Sequence, residues 1–162
     1  MAMTIAILED NPDRRDVMRR LLEDRFYSFE ARFFDRAAAL IDFLEKGLNN
    51  TIVLCLDHDL ELMPDHAGRL VDPGTGRDVV DYLVRREPVC PVVIHSTNSP
   101  AVLGMEGALR EAGWQTFTVA PYGDTEWIQE QWFPTVRRAI VGPVSRSGKT
   151  AKIDGAVRRK PS

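Results

Sequence analysis

Three short stretches hold most of the side chains able to do chemistry: Glu9-Asp10, Asp57-His58-Asp59 and His95-Ser96-Thr97-Asn98. Each directly follows an apolar run, so each is expected at the end of a buried strand. Carboxylates crowded together repel one another unless a cation neutralises them or their pKa values rise. A hard divalent ion with oxygen ligands, most simply Mg²⁺, suits Glu9, Asp10, Asp57 and Asp59. Asp59 is two residues beyond Asp57 and points the same way if the strand continues. The alternative is that it orients His58 from behind. Imidazole side chains can take or give a proton near neutral pH, which makes His58, His95 and Asp57 the candidate catalytic set. The same imidazoles with Asp57 also suit a transition metal. Ser96, Thr97 and Asn98 sit just before a helix start, where hydroxyls, an amide and a helix N-terminus favour the oxygens of a phosphate.

These groups are far apart in sequence, so the fold must gather them. Thr4–Leu8 and Thr51–Leu56 are continuous apolar runs of the kind buried on both faces of a parallel sheet. Tyr27–Phe34, Pro91–Ile94 and Gln115–Val119 read as three further strands. Between them lie helical patterns: one begins at Asn11-Pro12 and runs to about Asp24, and one is capped by Asp35 and ends near Gly47. Further helices begin at Arg77 and at Ser99-Pro100, and the last is capped by Asp124 or Thr125 and kinked or broken by Pro134. Five strands in strict alternation with helices predict an α/β fold, a doubly wound five-stranded parallel sheet with helices on both faces. In the flavodoxin-like order 2-1-3-4-5, strands one, three and four are neighbours, and ligands bind outside their carboxyl ends. All three reactive stretches would then open onto one crevice. The irregular segment Glu61–Gly76 is long enough to act as a loop that closes over a ligand.

Several motifs carry less. Gly148-Lys149-Thr150 lacks both the spacing and the preceding strand of a phosphate-binding P-loop. Gly74-Thr75-Gly76 reads as a turn leading into a helix. His58-Asp59 ends a strand and so differs from the helical His-Asp pairs of metal phosphohydrolases. His66, alone in a loop, is expected to be solvated. Trp127, Trp132 and Phe133 are expected in the core.

The chain has 162 residues, 44% apolar and 28% charged, which suits one domain with its own hydrophobic core. No apolar run approaches the ~20 residues of a membrane span. The N-terminus lacks the pattern of a secretory signal, and Cys55 and Cys90 read as reduced, buried thiols, so a cytoplasmic location is expected. The net charge of −3 is unevenly spread: residues 143–162 hold six basic side chains and one acid, +5, which leaves −8 on residues 1–142. We therefore expect a folded domain over 1–142 and a disordered basic tail over 143–162, able to add weak phosphate-backbone affinity for nucleic acid.

The pattern resembles the receiver domains of two-component signalling over roughly residues 3–141. Glu9 and Asp10 match the acid pair at the end of strand one, Asp57 the phospho-accepting aspartate, and Ser96 (with Thr97 beside it) the hydroxyl at the end of strand four. At the position of the receiver lysine stands Ala120, followed by the usual proline, Pro121. The sequence L-D-H-D-L (Leu56–Leu60), then G-R-D-V-V, then H-S-T-N (His95–Asn98) is similar to a narrower group, the cyclic-phosphate processing receiver domains. That resemblance implies a protein that acts on or senses nucleotide or RNA 2′,3′-cyclic phosphates in RNA repair and processing. Such a phosphodiester needs an activated water, a stabiliser for the charged transition state and an acid for the leaving oxygen. The two histidines with Mg²⁺ are of the right types to supply them. The alternative is a degenerate receiver that serves as a signalling or protein-interaction module.

Overall fold

A computed structural model describes residues 2–150, with side chains through Gly142. Five parallel strands form the sheet: β1 (Thr4–Leu8), β2 (Glu30–Phe34), β3 (Thr51–Leu56), β6 (Val92–His95) and β7 (Thr116–Val119), in the order β2-β1-β3-β6-β7. This is the doubly wound order expected from the sequence. The two remaining strands, β4 (Met63–Pro64) and β5 (Leu70–Val71), form a small antiparallel hairpin within the long connection after β3.

Alternation along the central strands divides the core in two. Ala6, Leu8, Leu54, Leu56, Val92 and Ile94 face α2 (Ala37–Gly47), α3 (Gly76–Leu83) and α4 (Ser99–Glu111). Ile5, Ile7, Val53, Cys55 and Val93 face α1 (Pro12–Arg25) and α5 (Phe133–Thr150), together with Trp127 and Trp132. Both tryptophans are fully buried, and the buried cysteines are free, Cys55 in one layer and Cys90 in the other.

Local chemistry accounts for most boundaries. Asn11 caps α1 by accepting from the Arg14 N–H at 3.0 Å, with Pro12 in the first turn. Thr75 and Asp78 form a reciprocal capping box at α3. The start of α2 differs from expectation: Arg36, not Asp35, is the N-cap, and it makes no side-chain cap. The Ala37 N–H instead donates to the Pro73 carbonyl at 2.9 Å, so a tertiary partner does the work of a cap. Pro134 does not end the last helix, but the α geometry is interrupted just ahead of it, where the sequence places a kink or break. The turn before α5, Ile128–Trp132, widens to π geometry, with the Phe133 N–H donating to the Ile128 carbonyl. The wider turn makes room for a ring that lacks an N–H. The span of α5 runs past Pro143, where the sequence reading starts a disordered tail; residues 151–162 of that tail lie outside the described residues. No helix among the described residues is long and apolar enough to cross a membrane.

Candidate functional site

The sheet continues for one residue past the ends of its central strands. The Glu9 N–H donates to the Phe34 carbonyl (2.9 Å), the Asp57 N–H to the Leu8 carbonyl (3.1 Å) and the Ser96 N–H to the Val119 carbonyl (3.3 Å). These bonds fix the backbone at the carboxyl edge, where the three reactive stretches meet.

The inner wall consists of Glu9, Asp57 and His95. Each offers a ligand-type atom, and these atoms lie within 4.8 Å of one another. Glu9 is fully buried yet well partnered. Its Oε1 lies 3.1 Å from His95 Nε2 and 3.7 Å from Arg14 Nη1, and its Oε2 accepts the Asn11 N–H at 3.0 Å. Burial alone would raise its pKa, but His95, the Asn11 N–H and Arg14 outweigh it and hold the carboxyl below its usual value. His95 is equally buried, its ring 5.6 Å from that of Trp127 and edge-on to Trp132 at 6.4 Å. Its Nδ1 has no hydrogen-bond partner among the described residues.

Asp57 is the opposite case. It is 6% exposed, and among the described residues no hydrogen bond reaches its carboxylate. Burial, with a smaller contribution from the negative Glu9, pushes its pKa up to about 6 despite the opposing influence of His95 and Arg14. A buried, unpaired carboxylate beside a second one favours a divalent cation, so the donor set fits the expected metal.

The outer rim is looser. Asp10 is half-buried, its Oδ2 accepting the Glu61 N–H at 2.6 Å, and desolvation raises its pKa. His58 and Asp59 pair with each other, Nδ1 to Oδ1 at 2.8 Å, which matches the orienting alternative for Asp59. Asp59 is largely exposed and also meets Asn98 Nδ2 at 3.5 Å. Asp10 and Asp59 are therefore not part of the three-residue group that closes around Asp57. Asn98 caps α4 through Oδ1 to the Ala101 N–H at 3.2 Å, and Ser96 Oγ accepts the Asn98 N–H at 3.0 Å. Ser96 is buried and Thr97 exposed. His66 is exposed, as expected.

Three contributors escaped the sequence reading. Arg14 reaches back from the first turn of α1 to Glu9, with its guanidinium 5.1 Å from the Trp127 ring centre. Its signal was a cation where a helix dipole prefers anions, directly after an acid pair. Trp127, read as core with an exposed partner-binding face as the alternative, is fully buried and forms part of the wall. Gly76 matters for its missing side chain. Its N–H donates to the His58 carbonyl at 3.1 Å, and a Cβ there would lie 2.2 Å from the Asp57 carbonyl oxygen. Only glycine lets α3 start this close to the strand end.

The family model described as cyclic-phosphate processing receiver domain matches residues 7–111, a span that contains Glu9, Asp10, Arg14, Asp57, His58, Asp59, Gly76 and the stretch 95–98, but not Trp127. The chain belongs to this family. Solved receiver domains share its fold. A two-component transcriptional regulator from Clostridium phytofermentans is 18% identical with a TM-score of 0.60, covering 91% of this chain and 99% of that one. The receiver domain of HemR from Leptospira biflexa is 17% identical at 0.59, with 99% of both chains covered. The chemotaxis protein CheY4 from Vibrio cholerae is 14% identical at 0.57, covering 86% and 99%. No curated protein matches the chain. As a cyclic-phosphate processing receiver domain, the protein presents the acidic pocket of a receiver with two departures. A buried histidine binds its inner acid, and the end of β7 offers the exposed Ala120 in place of a charge.

Proposed function

We propose that this domain binds a nucleotide or RNA 2′,3′-cyclic phosphate at the carboxyl ends of β1, β3 and β6, together with a divalent cation, most simply Mg²⁺. The observation that carries this reading is Asp57, a buried carboxylate with no hydrogen-bond partner among the described residues, facing Glu9 at the mouth of the crevice. Asp57 would hold the cation, with Asp10 as the second carboxylate on the open side. When bound, the cation would supply the charge that draws phosphate oxygens into an acidic pocket. Ser96, Thr97 and Asn98, at the start of α4, would take the remaining oxygens.

The pair His58–Asp59 extends the reading from binding to hydrolysis. With Nδ1 turned to Asp59, Nε2 of His58 is the ring nitrogen left to exchange a proton with a ligand. Water adds to phosphorus, one ribose ester P–O bond breaks, and the leaving oxygen takes a proton, giving a phosphomonoester. His95 is fully buried and bonded to Glu9, so its part is to position that acid.

Calorimetric titration with a nucleoside 2′,3′-cyclic monophosphate, with and without Mg²⁺, tests the binding. Saturable binding that requires Mg²⁺ and is lost in Asp57→Ala is expected. Absence of binding by the wild-type protein removes the reading. Phosphorus NMR of the same mixture tests the hydrolysis separately: conversion to monoester should disappear in His58→Gln while binding persists. Stable labelling of Asp57 by acetyl phosphate without cyclic-phosphate binding would instead favour a signalling module.

A further inference from the structure

Resting on the phosphate-binding reading above, we infer that Arg14 is the residue that grips the phosphate, a cation supplied by the first helix and not by the sheet edge. A crevice walled by Glu9, Asp57 and Asp10 repels an anion, and one divalent cation offsets only part of that charge. The end of β7, which flanks the site, presents Ala120 and adds no charge. Arg14 is the side chain whose position answers the need. Its guanidinium stands 3.7 Å from Oε1 of Glu9, whose carboxylate is grouped with Asp57 on the inner wall.

Three features suit Arg14 to a ligand beyond Glu9. First, 3.7 Å is an ion-pair distance and not a hydrogen bond, and among the described residues its guanidinium donates no hydrogen bond at all. A fork of five N–H donors is thus held in place with its donors unspent. Second, the guanidinium lies over the Trp127 ring at 5.1 Å, and Trp127 is anchored by its own Nε1–H to the Asp124 carbonyl at 3.1 Å. This cation–π contact helps hold the guanidinium without using its donors. Third, the side chain is 27% exposed and lines a groove of about 510 Å³ between the first turn of α1 and the connection after β7, where Arg20 is the second cation beside the acids Asp13, Asp16 and Asp124. One end of Arg14 is therefore committed to the acidic wall and the other is open to solvent.

The test measures nucleoside 2′,3′-cyclic monophosphate affinity by calorimetry at fixed Mg²⁺, together with Mg²⁺ affinity in the absence of nucleotide and the melting temperature. Arg14→Ala should weaken nucleotide binding by about ten- to a hundredfold, the range expected for losing hydrogen bonds to a charged group. Mg²⁺ binding should be equal or tighter, because a positive charge near Asp57 has gone. Arg14→Lys should recover part of the nucleotide affinity, restoring charge but not the planar fork. Unchanged nucleotide affinity in Arg14→Ala overturns the assignment while leaving the functional reading intact. Parallel loss of nucleotide affinity, Mg²⁺ affinity and melting temperature also overturns it, showing a structural role only. Failure of the wild-type protein to bind the nucleotide is distinct from both and removes the reading on which the assignment rests.

Discussion

Glu9 and Asp57 are both acids, both buried, and both end neighbouring strands of one sheet, yet their electrostatics run in opposite directions. Glu9 receives the Asn11 N–H and stands against His95 and Arg14, so its carboxyl is held below the usual value despite complete burial. Asp57 has no such company, and burial pushes its carboxyl up to about 6. Depth is thus not what separates them; partners are. The sheet surrounds one acid with partners and leaves the next without a protein hydrogen bond among the described residues, and a buried carboxylate with no such partner is the one with free energy to gain from a ligand. The same division separates the closed wall, where Glu9, His95 and the tryptophans pack without solvent, from the open rim of Asp10, His58 and Asp59.

The sharpest way to break this comparison is to remove what makes Glu9 satisfied. His95→Ala deletes a fully buried ring packed on Trp127 and Trp132 and strips a partner from a buried carboxylate. Cavity formation and the exposed acceptor together should cost about 2–4 kcal/mol, measured by urea unfolding near pH 7.5. A loss under about 1 kcal/mol would mean that the wall does not depend on this contact.

Asp57 should behave in the reverse sense. Its folded pKa of about 6 lies above its ordinary value of 3.8, so folding disfavours the ionised form. The contribution of Asp57 to stability is therefore greatest below the ordinary value, falls as pH rises through the interval up to about 6, and levels off above it. Asp57→Asn removes the penalty. In the presence of a chelator it should be more stable than the wild type at pH 8, by something on the order of 2–3 kcal/mol, and indistinguishable from it near pH 3.5. Mg²⁺ should raise the melting temperature of the wild type and leave that of Asp57→Asn unchanged. Equal stability of the two proteins at pH 8 would contradict the contrast drawn between the two acids.

Gly76 joins the two regions, since α3 starts against the backbone of Asp57. In Gly76→Ala the new methyl group meets the Asp57 carbonyl oxygen and the Met105 side chain, so strand end and helix must separate. The expected cost is about 1–3 kcal/mol in unfolding experiments, together with weaker Mg²⁺ binding because Asp57 moves. If stability fell but Mg²⁺ affinity held, the backbone approach would serve packing alone.

The parts of this picture that were legible in the sequence are those written in short-range pattern. Thr4–Leu8 and Thr51–Leu56 announced themselves as buried strands by their unbroken apolar runs, and the acids that follow them marked the ligand-binding edge. Asn11-Pro12 and Ser99-Pro100 announced helix starts through capping chemistry that is local by nature. What stayed hidden depends on distance in sequence. The shared crevice of Glu9 and His95, 86 residues apart, was expected from strand order, but that His95 would bond Glu9 directly and bury itself completely is set by the register of β3 and β6 and the packing of Trp127, neither of which any window of residues displays. The cap of α2 by the Pro73 carbonyl, the π turn ahead of Pro134 and the tight approach at Gly76 were hidden for the same reason: in each, a tertiary contact decides a local conformation.

The smallest expected effect belongs to the rim, and it sharpens the comparison by being small. Asp59 is largely exposed, and its contacts with His58 and Asn98 are the kind that solvent can replace. Asp59→Asn should therefore change folding stability by less than about 0.5 kcal/mol, in contrast with the losses expected at the wall. If the rim is built for proton transfer, the same substitution should still act on chemistry, because the amide no longer holds His58 Nδ1 as a carboxylate does. The rate of cyclic-phosphate hydrolysis, followed by phosphorus NMR, should then fall and its pH profile change while nucleotide affinity stays near that of the wild type. A substitution with no effect on stability, affinity or pH profile would show the His58–Asp59 pair to be an ordinary surface contact. The function would then contract to the wall, where Asp57 and its neighbours bind without catalysing.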